Sequence, residues 1–116
     1  MKHDEFGRNL AAGTYDLIVL DVLRDGPSYG YGILKRIFEQ SKGVIRWQEG
    51  TLYPVLHHLE KQGLVTGQWQ KPKKGHARKY YRLTAKGRAA WRVQRDQWRT
   101  FSQAVNALLR KRATAD

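Results

Sequence analysis

The sequence contains no cysteine. That excludes a disulfide framework, thiolate-bound zinc, an iron–sulfur cluster and a cysteine nucleophile, and it suits a reducing compartment. Long apolar runs are also missing. The strongest, Leu17 to Leu20, is cut at Asp21, whereas a membrane-spanning helix needs about 20 apolar residues. The N-terminus carries Asp4 and Glu5 where a signal peptide wants positive charge. The expectation is a soluble, cytoplasmic protein. Gly30 and Gly32 precede a helix but lack the strand and the third glycine of a dinucleotide site. His57-His58-x-Glu60 has no HExxH spacing, and adjacent helical residues point about 100° apart, so neither metal nor cofactor is expected. No nucleophile, base and orienting group are spaced as a set, and no enzyme activity is expected.

Acidic residues are scarce in one place above all. Between Lys61 and Arg95 there is no Asp or Glu, yet that stretch holds eleven basic residues: Lys61, Lys71, Lys73, Lys74, Arg78, Lys79, Arg82, Lys86, Arg88, Arg92 and Arg95. The whole chain sets 22 Lys and Arg against 10 Asp and Glu, for a net charge of +12 and a pI near 10.3. Such a balance points to a polyanionic partner, nucleic acid or an anionic membrane face. Exclusion of acids over so long a span favours a surface that meets phosphates over a merely solvated face. With 116 residues and 41% hydrophobic content the chain can build one small core with one appended element.

The apolar spacing gives the order of elements. Thr14 to Arg24 (TYDLIVLDVLR) reads as a mostly buried helix, stopped by Asp25-Gly26-Pro27. Ser28 can cap a second helix, whose stripe is Ile33, Leu34, Ile37 and Phe38 and whose end is Lys42-Gly43. Val44 to Gln48 reads as a brief strand. A third helix runs from about Glu49 to Gln62, with Leu52, Leu56 and Leu59 on its buried edge, Pro54 holding its start close by, and Gly63 as its stop. Leu64–Gln70 and Arg78–Leu83 read as the strands of a hairpin, joined by the basic loop Lys71 to Ala77 (KPKKGHA). Thr84 caps a long last helix reaching about Lys111. Trp91, Trp98 and Val105 repeat on it every seven residues, with Phe101 and Leu108 offset by three, which is an a/d seam.

Three helices followed by a basic hairpin make a winged helix-turn-helix, a mainly α (α+β) fold with a long C-terminal dimerisation helix. The third helix suits a major groove and the hairpin suits phosphates. The predicted division is residues 10–84 for DNA binding and residues 85–112 for dimerisation. Gly30-Tyr31-Gly32-Ile33, Glu49-Gly50-Thr51-Leu52-Tyr53-Pro54-Val55-Leu56, Leu59-Glu60-Lys61-Gln62-Gly63-Leu64-Val65 and Arg78-Lys79-Tyr80-Tyr81-Arg82-Leu83-Thr84 followed by Gly87 stand in that order. Together they resemble the PadR-like transcriptional regulators over roughly residues 10 to 112. The resemblance implies a homodimeric bacterial transcription factor, usually a repressor, released from a pseudo-palindromic operator by a small ligand or stress signal. The length is similar to the short subclass with one C-terminal helix. In multidrug-sensing members of that subclass a Trp of this helix meets its symmetry mate and stacks on flat aromatic ligands, and Trp98 stands at the matching position.

On the third helix the face opposite the leucines presents Thr51, His57, His58 and Lys61 as candidate DNA contacts. Tyr53 sits between faces: packing residue or phenol on a phosphate. Glu49 suits either a cytosine amine or the helix dipole. Lys73, Lys74, His76 and Arg78 form the wing tip and suit phosphates, with Arg46 and Lys79 as weaker candidates. The seam at Trp91, Trp98, Phe101, Val105 and Leu108 is the expected dimer interface, packing on the Tyr15/Leu17/Ile18 helix of the other subunit. Trp98, Trp91, Phe101 and Leu17 are the candidate ligand-binding set for a planar aromatic effector. The competing reading is an architectural protein that binds double-stranded DNA with little sequence preference.

Overall fold

A computed structural model of the chain describes the backbone of residues 3–115 and the side chains of residues 13–110. Its elements are α1 (His3–Leu23), β1 (Ser28–Tyr29), α2 (Gly30–Gln40), α3 (Glu49–Lys61), β2 (Val65–Gln70), β3 (Arg78–Leu83) and α4 (Ala85–Ala115). Three antiparallel strands in the order β1-β3-β2 form one small sheet. Winged helix-turn-helix architecture with a long last helix is what results.

The core lies where α1, α2, α3 and the sheet meet. Val19, Leu20, Ile33, Leu52, Leu56 and Leu59 are fully buried there. The leucine edge of α3 packs as its spacing predicts. Pro54 lies in the second turn of α3, where its missing N–H leaves only the Gly50 carbonyl without its helical donor. Gly63, at φ +76°, ends the helix in the left-handed conformation that a side chain resists. Thr84 caps α4 as expected: its Oγ1 accepts from the Gly87 N–H at 2.9 Å and donates to the Gly63 carbonyl at 2.6 Å. Gly87 is there for space, since a Cβ would overlap the Leu64 carbonyl. The turn between hairpin and α4 is thus closed by one hydroxyl and one absent methyl.

Four expectations are corrected. Ser28 does not cap α2. After the turn at Gly26 (φ +141°) and Pro27, Ser28 and Tyr29 pair with Tyr81 and Tyr80 as a third strand, and α2 starts after Tyr29 without a side-chain cap. Val44 to Gln48 is a loop, not a strand. The Ser41 hydroxyl accepts from the Ile45 N–H at 2.9 Å, Trp47 stacks on Tyr15 at 4.6 Å, and Val44 is left 82% exposed. These local ties hold the segment off any strand edge. Helix α1 begins at His3, well before Thr14, and α4 runs on to Ala115. Neither extension carries an apolar stripe of helical period that would have marked it. Among the described residues no helix is long and apolar enough to cross a membrane.

Candidate nucleic-acid interface

Leu52, Leu56 and Leu59 fix the rotation of α3, so the side of the helix opposite them faces outward. Thr51 is half-buried, and His57 and Lys61 are exposed. The side chains of these three have no hydrogen bond or ion pair among the described residues. Glu49, in the first turn, is exposed and has no cationic partner there either. His58 does not join them. Its Nε2 lies 3.5 Å from Asp16 Oδ2 on α1, so the structure turns it sideways against the neighbouring helix.

Tyr53 is half-buried, and its phenol lies across the first residue of α2. A Cβ at Gly30 would overlap the Tyr53 hydroxyl and come within 2.9 Å of its Cζ. The glycine of the Gly30-Tyr31-Gly32 motif therefore lets α2 and α3 approach at this point. The hydroxyl ends beside an open cleft of about 420 Å³ between the helices and the wing. Tyr29, Tyr31, Tyr53, His57, Trp69 and Arg78 line it.

The wing carries the charge. Lys73, Lys74, His76 and Arg78 are all exposed, and the connecting loop turns at Gly75 with φ +101°. The Arg78 guanidinium stacks on Tyr29 at 4.6 Å. Among the described residues the ion pairs are Arg24–Asp21, His58–Asp16, Lys79–Glu60 and Arg95–Asp96. Among the described residues, Lys79 and Arg95 are the two of the eleven cations in the acid-free stretch with a carboxylate partner. The rest stand on the surface without internal neutralisation, which is unfavourable self-repulsion unless a polyanion relieves it. Arg46 turns back, donating to the Gly43 carbonyl at 3.2 Å and lying over Phe38.

Two exposed aromatics were not singled out from the sequence. Trp69 is 67% exposed near the end of β2, and Tyr31 is 65% exposed at the start of α2. The signal for Trp69 was present, since Val65, Gly67 and Trp69 alternate onto one sheet face, but the strand outruns the helix beneath it.

The seam residues divide into two groups. Trp91 is tied to its own chain: its Nε1 donates to Asp21 Oδ1 at 2.9 Å, and Arg24 and Arg95 cover its ring. Trp98, Phe101 and Leu108 are 47%, 59% and 59% exposed, and Val105 is half-buried. Trp98 also lines a largely apolar pocket of about 310 Å³ with Leu17, Ile18, Val22, Ile45 and Arg99.

Residues 19–93 match the transcriptional regulator PadR-like family. The chain belongs to that family. A transcriptional regulator of Clostridium thermocellum has a similar structure, with TM-score 0.77 and 30% identity over 85% of this chain and 96% of its own. A PadR family regulator from Eggerthella lenta gives TM-score 0.72 and 34% identity over 91% of this chain and 90% of its own. The transcriptional regulator Rv3488 of Mycobacterium tuberculosis is 48% identical over 52 residues, 45% of this chain and 48% of its own length. This PadR-like chain is a DNA-binding transcriptional regulator and not an enzyme.

The His58–Asp16 pair has a pH consequence. Burial is the largest influence on Asp16 and pushes its carboxyl above 3.8, while His58 pulls it back by less through its charge and hydrogen bond. A carboxyl raised by folding contributes most stability below its unfolded value and loses it as pH rises through the folded one. Asp16→Asn is therefore expected to melt higher than the parent protein near pH 7 and level with it near pH 3. Thermal melts across that range check this, and equal differences at both ends would assign the effect to something other than the carboxyl charge.

Proposed function

We propose that the chain is a homodimeric repressor that binds a pseudo-palindromic operator in the cytoplasm and is released by a small effector. The observation that carries the DNA reading is the placement of two free surfaces side by side. Thr51, His57 and Lys61 face outward from α3, with Glu49 and Tyr53 at its start. The wing beside them offers Lys73, Lys74, His76 and Arg78 with no acid among them. In this reading α3 enters a major groove and reads base edges, while the wing lays cations along the phosphates. His58 acts through Asp16, as a brace for α3 rather than as a base contact.

The test separates the two surfaces. Lys73→Ala, Lys74→Ala and Arg78→Ala together are expected to weaken binding to all duplexes alike. Each lost phosphate contact removes about 0.9 from the slope of log affinity against log salt. Thr51→Ala and His57→Ala are expected to change which bases are footprinted. Retention of parental affinity and slope by the triple variant would remove the wing from the interface. Uniform binding by the parent protein to every duplex would favour an architectural role.

The dimer reading rests on α4. Phe101, Leu108 and Leu109 are each more than half exposed along a helix that extends a molecule 63 Å long and only 29 by 28 Å across. An apolar face of that length left in water invites aggregation, and a second copy of the same helix covers it. Two recognition helices would then lie about 34 Å apart, one turn of DNA. Phe101→Glu with Leu108→Glu is expected to sediment as a monomer and to lose operator affinity. A stable dimer from that variant would place the interface elsewhere.

Effector binding is assigned to Trp98 with Leu17 in the same pocket and Phe101 6.3 Å away, while Trp91, tied to Asp21, lies outside the pocket lining. The half-exposed indole edges an apolar pocket large enough for a flat aromatic molecule. Titration with planar aromatic compounds is expected to quench indole fluorescence in the parent protein, and much less in Trp98→Ala, with weaker binding. Equal quenching and affinity in both would leave Trp98 a packing residue.

A further inference from the structure

We propose that Lys79 is a positioning residue, locked between Gly67 and Glu60, that sets the angle of the wing against α3. The inference rests on the DNA-binding reading above and concerns how its two surfaces are held in register.

Strand alternation places Lys79 apart from the wing cations. In the β2–β3 pairing Gly67 stands opposite Tyr81 and Trp69 opposite Lys79, so these four share one sheet face. Tyr81 is 2% exposed on that face, which shows that it is the side turned toward the helices. Arg78, Tyr80 and Arg82 point to the other side. Lys79 Nζ donates to Glu60 Oε1 on α3 at 3.3 Å and lies 5.2 Å from the centre of the Tyr81 ring. The two charged side chains are only 26% and 34% exposed. Among the described residues this is the one ion pair joining α3 to the sheet.

Gly67 makes the route. A Cβ there would overlap Lys79 Cε and stand 3.2 Å from Tyr81 Cε1, so a side chain at this position would push the end of the lysine off its path across the strand. The glycine does not have a positive φ, so no backbone conformation calls for it. A glycine inside a strand otherwise weakens the ladder. Space for the lysine is what its presence supplies. Glu60 is the last acid before the basic stretch, and it is spent on this contact. Burial works against the Lys79 charge, but Tyr81 and Glu60 outweigh it and raise the ammonium above 10.5.

The consequence is a division of labour. Lys73, Lys74 and Arg78 supply cations to any duplex, and Lys79 supplies none. It holds the hairpin at the inclination at which wing and α3 meet one duplex together. A loose hairpin still attracts phosphates, but it no longer rewards the sequence at which α3 is seated.

The test uses the full-length protein and two duplexes. One is the duplex that the parent protein selects from a random-sequence library, and the other is a scrambled duplex of equal length. Gly67→Ala changes no charge, and Glu60→Gln changes almost no volume. Each is expected to lower the ratio of selected to scrambled affinity about tenfold, with the melting profile retained. Lys79→Arg, which keeps a donor for Glu60, is expected to keep most of the ratio. If Lys79 were one more phosphate cation, Glu60→Gln would free it and raise affinity for both duplexes with the ratio unchanged. That outcome, or equal loss on both duplexes in Glu60→Gln, overturns the positioning role. Failure of the parent protein to select any duplex overturns the operator reading itself, a result distinct from an unchanged ratio.

Discussion

Burial of one edge of α3 governs everything that this surface can do. Leu52, Leu56 and Leu59 have no solvent exposure, so the helix has one rotational setting. Once that setting is fixed, the outward direction of Thr51, His57 and Lys61 follows from 3.6 residues per turn and needs no further device. The same setting brings Tyr53 over Gly30, His58 against Asp16 and Glu60 under the hairpin. Tyr53, His58 and Glu60 each meet a neighbouring element, while His57 and Lys61 stay exposed.

Much of this was legible in the sequence because the patterns are periodic. The leucine spacing, the Gly63 stop and the Thr84 cap placed α3, the hairpin and the start of α4 within a residue or two. What periodicity could not reach was decided by contacts distant in sequence. Two residues are too few to alternate, so β1 was invisible, and its pairing depends on β3 some fifty positions later. Val44 to Gln48 has strand-forming residues, but a serine hydroxyl and a Tyr15–Trp47 stack claimed them first. His58 looked like its neighbour His57 until α1 supplied Asp16. Lys79 looked like Arg78 until the strand alternation turned it inward.

Charge is distributed with the same economy. Three acids near the basic surface have a structural partner, Asp16 with His58, Asp21 with Arg24 and Trp91, and Glu60 with Lys79, while Glu49 has no cationic partner among the described residues. Two of these pairs join α3 to α1 and to the sheet, while Lys73, Lys74 and Arg78 on the wing have no carboxylate partner among the described residues. Surface ion pairs contribute little stability in general. Here their effect on geometry matters more than their energy, since each joins or orients elements that the core alone would leave with some freedom.

The last helix adds a mechanical property. It has 31 residues, about 46 Å at 1.5 Å per residue, and its root is the Thr84 turn beside the base of the hairpin. A rod of that length converts rotation into travel: a tilt of about 5° at the root sweeps the far end through roughly 4 Å. Run in reverse, a few ångströms of displacement at the far end become a few degrees at the hairpin base. The gain is set by helix length alone. Lengthening or shortening α4 by whole turns would retune how strongly events at one end are felt at the other, with every residue of the DNA-facing surface unchanged.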